Sequence, residues 1–335
     1  MRVWQIGSFG VEKLEFTERP TPEPGPGQVL VKVHAISLNY RDLMMVKGLY
    51  NPKLKLPRIP CSDGAGEVTA VGAGVTQWNP GDRVAGIFMQ NWIDGPATPE
   101  KIKGALGGDI DGTLAEYVVL SAQGLVAVPE HLSYQEAATL PCAAVTAWNA
   151  LAAAELKPGA TVLIQGTGGV ALFALQFARL KGARVLGISS SDEKLERVKE
   201  LGLDAGLNYN TTAEWDRWVL EETGDGADLV VEVGGAGTLP RSLRALKMGG
   251  TIAQVGVLTG PKLAEPLQIP AILHKQARIR GIYVGSRQDF VEMNKAIELG
   301  RLRPVGEDFP WTHAREVLTR MESGGHFGKL VMTVG

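Results

Sequence analysis

A glycine-rich turn between a short apolar strand and an apolar helix, within residues 161–178, constrains the fold of this chain more than any other feature. Gly166, Gly168 and Ala171 fill the pattern G-x-G-x-x-A. The first glycine permits a tight bend, the second lets the backbone approach a pyrophosphate, and the small third residue lets the helix pack closely on the strand. Phosphate charge then meets the N–H groups at the helix N-terminus. The predicted dinucleotide-binding loop comprises Gly166, Thr167, Gly168, Gly169 and Val170. The alternative is a glycine-rich connector without a ligand.

Strands and helices alternate around this turn from residue 134 onwards. The strands are continuous apolar runs, which is typical of a parallel sheet covered by helices on both faces. We predict strands at 161–165, 184–189, 229–233, 251–255 and 279–284. We predict the intervening helices at 170–181, 193–201, 213–222, 238–246 and 269–275. This order predicts a Rossmann domain, a doubly wound parallel sheet, over residues 128–285.

The N-terminal region has a different pattern. Short segments of alternating hydrophobicity, at 29–35, 66–71 and 82–86, are separated by turn clusters such as PTPEPGPGQ and NPGDR. This pattern predicts a small antiparallel β-barrel, to which a closing strand at 329–334 is expected to return. The chain is therefore predicted to be an α/β protein with a β-barrel domain of residues 1–127 and 286–335, interrupted by the Rossmann domain.

The end of the second Rossmann strand indicates which dinucleotide binds. An NAD-binding protein has an Asp or Glu about 20 residues after the glycine loop, where it binds the ribose hydroxyls. Here the chain has three serines at 189–191. Since no carboxylate repels a 2'-phosphate, we predict NADP(H), with the additional phosphate bound by Ser189, Ser190, Lys194 and Tyr209. Ser190 or Ser191 is alternatively a helix N-cap, and the two roles are compatible.

Composition excludes several other functions. The 34 basic and 36 acidic side chains nearly cancel, so the chain lacks the basic field expected of a nucleic-acid-binding protein. No apolar run reaches the roughly 18 residues of a membrane span. Two cysteines, Cys61 and Cys142, fit a reducing compartment better than a disulfide scaffold. We expect a cytoplasmic protein that binds a small molecule and has neither a membrane nor a nucleic acid as its partner.

Three motifs, SLNYRD at 37–42, CSDGAGEV at 61–68 and LPCAAVTAW at 140–148, resemble stretches of the medium-chain dehydrogenase/reductase superfamily. The resemblance implies that the N-terminal domain is GroES-like and catalytic. Zinc alcohol dehydrogenases of this superfamily bind their catalytic zinc through a Cys, a His-Glu pair and a second Cys. Asn39 matches the first Cys and Ser62-Asp63 the His-Glu pair, so only Cys142 remains.

Zinc requires at least three strong protein ligands, which a thiol, an amide and a hydroxyl do not provide. Residues 88–112, which match the lobe of the structural zinc, contain no Cys. We therefore predict that both zinc sites are absent. The chain is more similar to the zinc-free quinone oxidoreductase-like branch, through SLNYRD, GLY at 48–50, TAW at 146–148, NY at 208–209, VGG at 233–235 and HFGK at 326–329.

This resemblance also implies roles for further residues. Thr146 is expected to contact the nicotinamide, and the edge strand at 279–284 is expected to form a homodimer. Loops at the carboxyl ends of the strands line the cofactor crevice of a doubly wound sheet. The remaining predicted cofactor-binding residues are Thr146, Val233, Gly256, Val257, Tyr283, Val284, Gly285 and Lys329.

Without a metal, the acceptors that are easiest to reduce are quinones and α,β-unsaturated carbonyls, because their conjugation spreads the developing negative charge. Hydrogen-bond donors then suffice, and the predicted catalytic donors are Asn39 and Tyr40. The alternative structural roles are a turn residue for Asn39 and a core or rim aromatic for Tyr40. We predict a zinc-independent, NADPH-dependent oxidoreductase that transfers hydride to a quinone or enone. The alternatives are an NADP-dependent alcohol or aldehyde dehydrogenase with Tyr40 as its acid, and an NADPH-binding sensor or structural protein without turnover.

Overall fold

The computed structural model describes residues 1–335, which form two compact units. The first unit contains Met1–Val145 and Val284–Gly335, and the second contains Thr146–Tyr283. Residues 128–145, which the sequence analysis assigned to the Rossmann domain, therefore pack with the first unit. No helix is both long enough and apolar enough to cross a membrane.

The first unit contains more strands than helices. Its strands are β1 (Arg2–Ile6), β2 (Leu14–Glu18), β3 (Gln28–Leu38), β4 (Asp63–Val71), β5 (Arg83–Gly86), β6 (Tyr117–Ser121), β7 (Leu125–Ala127), β14 (Gly306–Pro310) and β15 (Lys329–Thr333). Its helices are α1 (Tyr40–Val46), α2 (Tyr134–Ala138), α9 (Arg287–Gly300) and α10 (Ala314–Glu322), and a π-helix spans Leu140–Ala144. Strands β1 and β2 pair with each other. The others form one sheet in the order β14-β15-β3-β4-β5-β7, with β6 also paired to β3, and every pair except β14–β15 is antiparallel.

The long strand β3 determines where the polar residues of this unit meet. Near its carboxyl end, Leu38 pairs with Leu330 of β15, and Ser37 pairs with Asp63 of β4. The chain then leaves β3 at Asn39 and begins helix α1. The register therefore brings the end of β3 next to the first residues of β4 and β15.

The second unit contains a six-stranded parallel sheet with helices. Its strands are β8 (Thr161–Gln165), β9 (Arg184–Ser189), β10 (Ala205–Asn208), β11 (Ala227–Glu232), β12 (Leu246–Gln254) and β13 (Arg278–Gly281). Its helices are α3 (Val145–Ala152), which begins at the boundary between the units, α4 (Gly169–Leu180), α5 (Asp192–Glu200), α6 (Trp215–Thr223), α7 (Leu239–Ala245) and α8 (Ile269–His274). The strand order is β10-β9-β8-β11-β12-β13. This is the doubly wound order, in which the chain reverses direction across the sheet after its first three strands, and it confirms the Rossmann prediction.

Several boundaries differ from the sequence prediction. Strands β8 and β9 match it, because their continuous burial corresponds to continuous apolar sequence. Strand β13 ends at Gly281 and not at 284, because its partner β12 ends opposite Gly281 at Gln254. Strand β3 continues to Leu38 because β4 and β15 both pair with its last residues. Strand β14 was not predicted, since GEDFP has no apolar alternation.

Candidate functional site

Asn39 lies between strand β3 and helix α1, and it is largely buried. Asn is a common residue at the start of a helix, because its side-chain oxygen can accept a hydrogen bond from one of the first free N–H groups. Here Asp42, at the third position of the helix, accepts a hydrogen bond from the Asn39 backbone N–H at 2.9 Å. Burial raises the pKa of Asp42, and the adjacent Arg41 charge opposes that rise.

Lys329, the first residue of β15, places its ammonium beside Asn39. Its Nζ donates to the Leu38 carbonyl at 2.5 Å and to Oδ1 of Asn39 at 2.5 Å. The residue is 4% exposed. A buried ammonium is costly unless it is hydrogen-bonded, and these two acceptors lower that cost. The contact joins two residues that are far apart in sequence.

A chain of hydrogen bonds continues from Asn39 to a buried carboxylate. The Nδ2 of Asn39 donates to Oγ of Ser62 at 3.3 Å, and Ser62 donates to Oδ1 of Asp63 at 2.7 Å. The backbone N–H of Cys142 donates to the other Asp63 oxygen at 3.0 Å. We call Lys329, Asn39, Ser62 and Asp63 the polar relay. Asn39 was predicted as a catalytic donor and Lys329 as a cofactor-binding residue, and the structure brings the two together.

Burial dominates the electrostatics of the polar relay. It raises the pKa of Asp63 to about 6, although the Lys329 charge and the Ser62 hydrogen bond oppose the rise. Burial also raises the pKa of the Cys142 thiol, and the negative charge of Asp63 adds to that rise, so the thiol is neutral at pH 7.

Tyr40, the second predicted catalytic donor, is not part of the polar relay. It is the first residue of helix α1, and 41% of its surface is exposed. The next residue, Arg41, donates to the Leu106 carbonyl at 2.6 Å and lies over the Phe88 ring at 4.9 Å. This segment therefore directs Asn39 into the polar relay and leaves Tyr40 at the surface of its unit.

The predicted dinucleotide loop lies in the second unit, between β8 and α4. Gly166 has a φ of 71°, a left-handed conformation that favours glycine. A Cβ added at Gly168 would meet no atom within 4 Å, so the space beside this backbone is open. Helix α4 begins at Gly169, and the first N–H groups of a helix lack intrahelical acceptors. Thr167 is buried and Val170 half-buried. The loop therefore offers an open space beside backbone donors, which suits a pyrophosphate.

The serine cluster lies at the adjoining ends of β9 and β10. Ser189 is buried, whereas Ser190 and Tyr209 are exposed. The Tyr209 backbone N–H donates to the Ser189 carbonyl at 2.9 Å, which brings the two strand ends together. Lys194 is half-buried in the first turn of α5, where Ser191 is the N-cap and accepts from the Lys194 N–H. The role of Ser191 as a helix N-cap is therefore compatible with the clustering of the predicted 2'-phosphate ligands.

One polar residue beside this cluster, Asn210, was not predicted from the sequence. The Asn210 side chain donates to the Ser190 carbonyl at 3.1 Å and thereby holds the serine turn. A polar residue next to the tyrosine of the NY motif was the only available signal. Its contact depends on the pairing of β9 with β10.

Gln165 and Glu232, which sequence analysis also missed, join the glycine loop to the turn after β11. Gln165 accepts from the backbone N–H groups of Val233 and Gly234, at 3.2 and 3.3 Å. Its amide donates to the fully buried Glu232 at 2.8 Å. Polar residues that end otherwise apolar strands were the signal that could have found them. The pair fixes Val233 next to the glycine loop.

The other predicted cofactor residues have varied surroundings. Gly256 packs against the Val233 backbone, where a Cβ would lie 2.0 Å from the carbonyl oxygen, and Val257 is exposed. In the second unit Thr146 is buried and Tyr283 is exposed. In the first unit Val284 and Gly285 are buried, and Val284 has a φ of 54°. A β-branched residue rarely adopts this conformation, and such strain is concentrated at functional sites.

Comparison with known families identifies the architecture. The pattern of the zinc-binding dehydrogenase family matches residues 169–298, and that of the alcohol dehydrogenase GroES-like domain matches residues 25–130. The chain belongs to the medium-chain dehydrogenase/reductase superfamily. It is an alcohol dehydrogenase-like oxidoreductase from a family that uses nicotinamide cofactors.

Proteins named for different activities are similar to this chain over most or all of its length. A zinc-type alcohol dehydrogenase-like protein of Schizosaccharomyces pombe is 45% identical over 335 residues, which cover 97% of this chain and 96% of that protein. An acryloyl-coenzyme A reductase of Metallosphaera sedula is 32% identical over 298 residues and 87% of each chain. The crystal structure of an NAD-dependent alcohol dehydrogenase has a TM-score of 0.91 at 35% identity over 100% of both chains.

The sequence resemblance aligns four residues of this region, Asn39, Ser62, Asp63 and Cys142, with the catalytic zinc ligands of zinc alcohol dehydrogenases. In the structure these four residues are joined by hydrogen bonds, and the ammonium of Lys329 lies beside Asn39. No group of three or more His, Cys, Asp or Glu side chains in residues 1–335 is arranged to hold a metal ion.

Proposed function

We propose that this protein is a zinc-independent, NADPH-dependent reductase that transfers hydride to a quinone or an α,β-unsaturated carbonyl. The observation that carries the proposal is the hydrogen bond from the buried Lys329 ammonium to Oδ1 of Asn39, at a position that matches a zinc ligand. Asn39 is the proposed catalytic donor.

The groups of the polar relay do not fit zinc. A zinc site needs thiolate, imidazole or carboxylate ligands at about 2.0–2.3 Å. Asn39 offers an amide oxygen whose acceptor site Lys329 already uses, and Ser62 offers a neutral hydroxyl that Asp63 already binds. A dication at this place would also be repelled by the nearby ammonium. We therefore derive no catalytic step through zinc.

The proposed reaction class follows from the hydrogen-bond donors that the first unit supplies. When bound, the reduced nicotinamide supplies hydride. Reducing an isolated ketone concentrates negative charge on one oxygen, whereas a conjugated acceptor spreads it over several atoms. A preorganised N–H donor such as Asn39 stabilises the partial oxyanion, an effect worth about 3–4 kcal/mol in comparable sites. The acryloyl-coenzyme A reductase relative is named for a substrate of the conjugated class.

The second unit fits the proposed NADP(H). The open space at Gly168 accommodates the pyrophosphate, and helix α4 supplies N–H donors there. The proposed 2'-phosphate ligands are Ser190, Lys194 and Tyr209, and no carboxylate stands at the end of β9. One related structure is of an NAD-dependent enzyme, so the choice of cofactor is part of the test.

We also propose that the protein is a homodimer that pairs through β13. This strand is exposed along its whole length, and it is the edge of the parallel sheet. Ile269 and Leu273 of the neighbouring helix α8 are exposed too. Unpaired edges with nearby apolar side chains favour association. Light scattering of the purified protein should give twice the mass of the chain, and a monomer at micromolar concentration would contradict this proposal.

The function is tested by NADPH oxidation with a panel of quinones, enones, simple ketones and aldehydes, with NADH in parallel. We expect turnover with the conjugated acceptors and a preference for NADPH, without stoichiometric zinc. Activity on simple alcohols and ketones alone would support the alcohol dehydrogenase alternative. Nucleotide binding without oxidation by any acceptor would support the sensor alternative.

A further inference from the structure

We propose that Lys329 is a positioning residue for the reduction, because its ammonium fixes and polarises the Asn39 amide that binds the acceptor oxygen. The inference rests on the proposed function. It assigns Lys329 a task other than the cofactor binding predicted from the sequence.

The hydrogen bonds of Lys329 determine the orientation of the Asn39 side chain. An ammonium has donors and no acceptor, so the Asn39 atom that faces it must be the oxygen. The amide nitrogen is thereby turned toward Ser62, whose hydroxyl hydrogen is directed to Asp63. All hydrogen bonds of the polar relay therefore point the same way, from the Lys329 ammonium, which only donates, to the Asp63 carboxylate, which accepts.

The second N–H group of Asn39 is the one that a ligand would use. The amide nitrogen carries two hydrogens; Ser62 accepts one of them, and the Asp63 carboxylate also interacts with the Asn39 side chain. A bound carbonyl oxygen would accept the second N–H group in competition with Asp63.

The positive charge of Lys329 makes this donor stronger. Hydrogen bonds in a connected chain polarise one another, and the effect increases in a buried setting. The Lys329 charge is felt throughout the polar relay, since it lowers the pKa values of Asp63 and Cys142 against the effect of burial. Withdrawal of electron density from Oδ1 leaves the Asn39 N–H group more positive.

The proposed step balances without a proton from the polar relay. Hydride carries a hydrogen nucleus and two electrons to the acceptor carbon, the nicotinamide is oxidised, and the acceptor oxygen gains negative charge. Asn39 donates a hydrogen bond to that oxygen and keeps its proton. Water supplies the proton that completes the reduction.

Substitution at Lys329 tests the inference with the whole protein. Lys329→Met removes the charge and both hydrogen bonds, whereas Lys329→Gln keeps an N–H donor without the charge. Because the loss of one oxyanion donor costs roughly 100-fold or more in kcat, we expect losses of this order for Met and smaller ones for Gln. The NADPH dissociation constant should not change. In an Asn39→Ala background, Lys329→Met should cause little further loss.

Lys275 provides a matched control in the second unit. Its Nζ likewise donates two hydrogen bonds, in this case to the backbone carbonyls of Arg244 at 2.6 Å and Leu246 at 2.5 Å. Lys275→Met should lower the thermal midpoint and leave kcat unchanged. A similar loss of kcat in this variant would show that removing any carbonyl-bound ammonium impairs the protein.

A second readout does not need turnover. The probe is 4-nitrophenol, whose phenolate absorbs visible light and resembles an oxyanion. The wild type should bind the phenolate about tenfold more tightly than Lys329→Met does, because the variant keeps the Asn39 hydrogen bond to the phenolate but loses the charge that strengthens it. The proposed function could fail while this inference holds. In that case no acceptor of the panel would support NADPH oxidation by the wild type, but the wild type would still bind the phenolate more tightly than Lys329→Met does.

Several outcomes would overturn the inference. They are an unchanged kcat in Lys329→Met, a loss confined to NADPH affinity, full additivity with Asn39→Ala, and equal phenolate binding by wild type and variant. If both neutral variants fail to fold, Lys329 is a folding determinant and the inference is wrong.

Discussion

Replacing Gly168 by Ala should separate folding from cofactor binding. Its φ of −80° and ψ of 177° are extended backbone that alanine adopts readily, and an added Cβ meets no protein atom within 4 Å. The only space that the methyl group takes is the space we assign to the pyrophosphate. The folded protein should therefore tolerate a change that the nucleotide does not.

The two effects have opposite signs. Gly→Ala at a compatible position stabilises a protein by about 0.4–1 kcal/mol, because the unfolded chain loses conformational freedom. A methyl group that displaces the pyrophosphate from one backbone N–H group costs about 1.5–3 kcal/mol of binding free energy. That loss corresponds to a roughly 10- to 100-fold weaker NADPH dissociation constant.

Urea unfolding and NADPH titration by fluorescence measure the two quantities on the same samples. Gly325→Ala is the control, since the nearest atom to its added Cβ is at an ordinary contact distance of 3.6 Å. It should change neither NADPH affinity nor activity. Unchanged NADPH affinity in Gly168→Ala would refute the assignment of the pyrophosphate to this loop, and marked destabilisation would refute the description of the open space.

Three further predictions concern single side chains. The pKa of Asp63 is about 6 in the folded protein against 3.8 in the unfolded chain. Between pH 3.8 and pH 6 the folded state therefore binds more protons than the unfolded state does. The free energy of unfolding should consequently fall by about 3 kcal/mol as the pH rises through this range. Asp63→Asn should remove this dependence in urea unfolding at stepped pH, and an identical pH dependence in both proteins would contradict the raised pKa. Tyr40→Phe should leave quinone and enone reduction nearly unchanged because Tyr40 lies outside the polar relay, whereas a large rate loss on ketones would support the alcohol dehydrogenase alternative. Lys194→Ala should weaken NADPH binding roughly 10- to 100-fold and leave NADH binding unchanged, and equal losses for both nucleotides would exclude Lys194 as a 2'-phosphate ligand.

The Rossmann unit was predictable because its signals are local. The G-x-G-x-x-A turn, the apolar run of β8 and the alternation of strands and helices all lie within short windows of sequence. The end of strand β13 was predicted wrongly and strand β14 was not predicted, since pairing with a neighbour defines these strands more than their own residues do. Exposed β13 has no apolar face from which its end could be found.

The polar relay was only partly predictable. Motif comparison singled out Asn39, Ser62, Asp63 and Lys329 one by one. Their connection depends on the register that places β4 and β15 on either side of β3. Local sequence cannot encode that register, so the hydrogen bond between Lys329 and Asn39 emerged only from the structure. The Gln165–Glu232 pair was missed for the same reason, because it spans β8 and β11.

The central claim, reduction without zinc, is tested most directly by elemental analysis of the purified enzyme together with its rate of NADPH oxidation by an enone or quinone. The account predicts full turnover at substoichiometric zinc, with no loss after treatment with a chelator and no gain on addition of zinc. Stoichiometric zinc whose removal abolishes activity and whose return restores it would contradict the account.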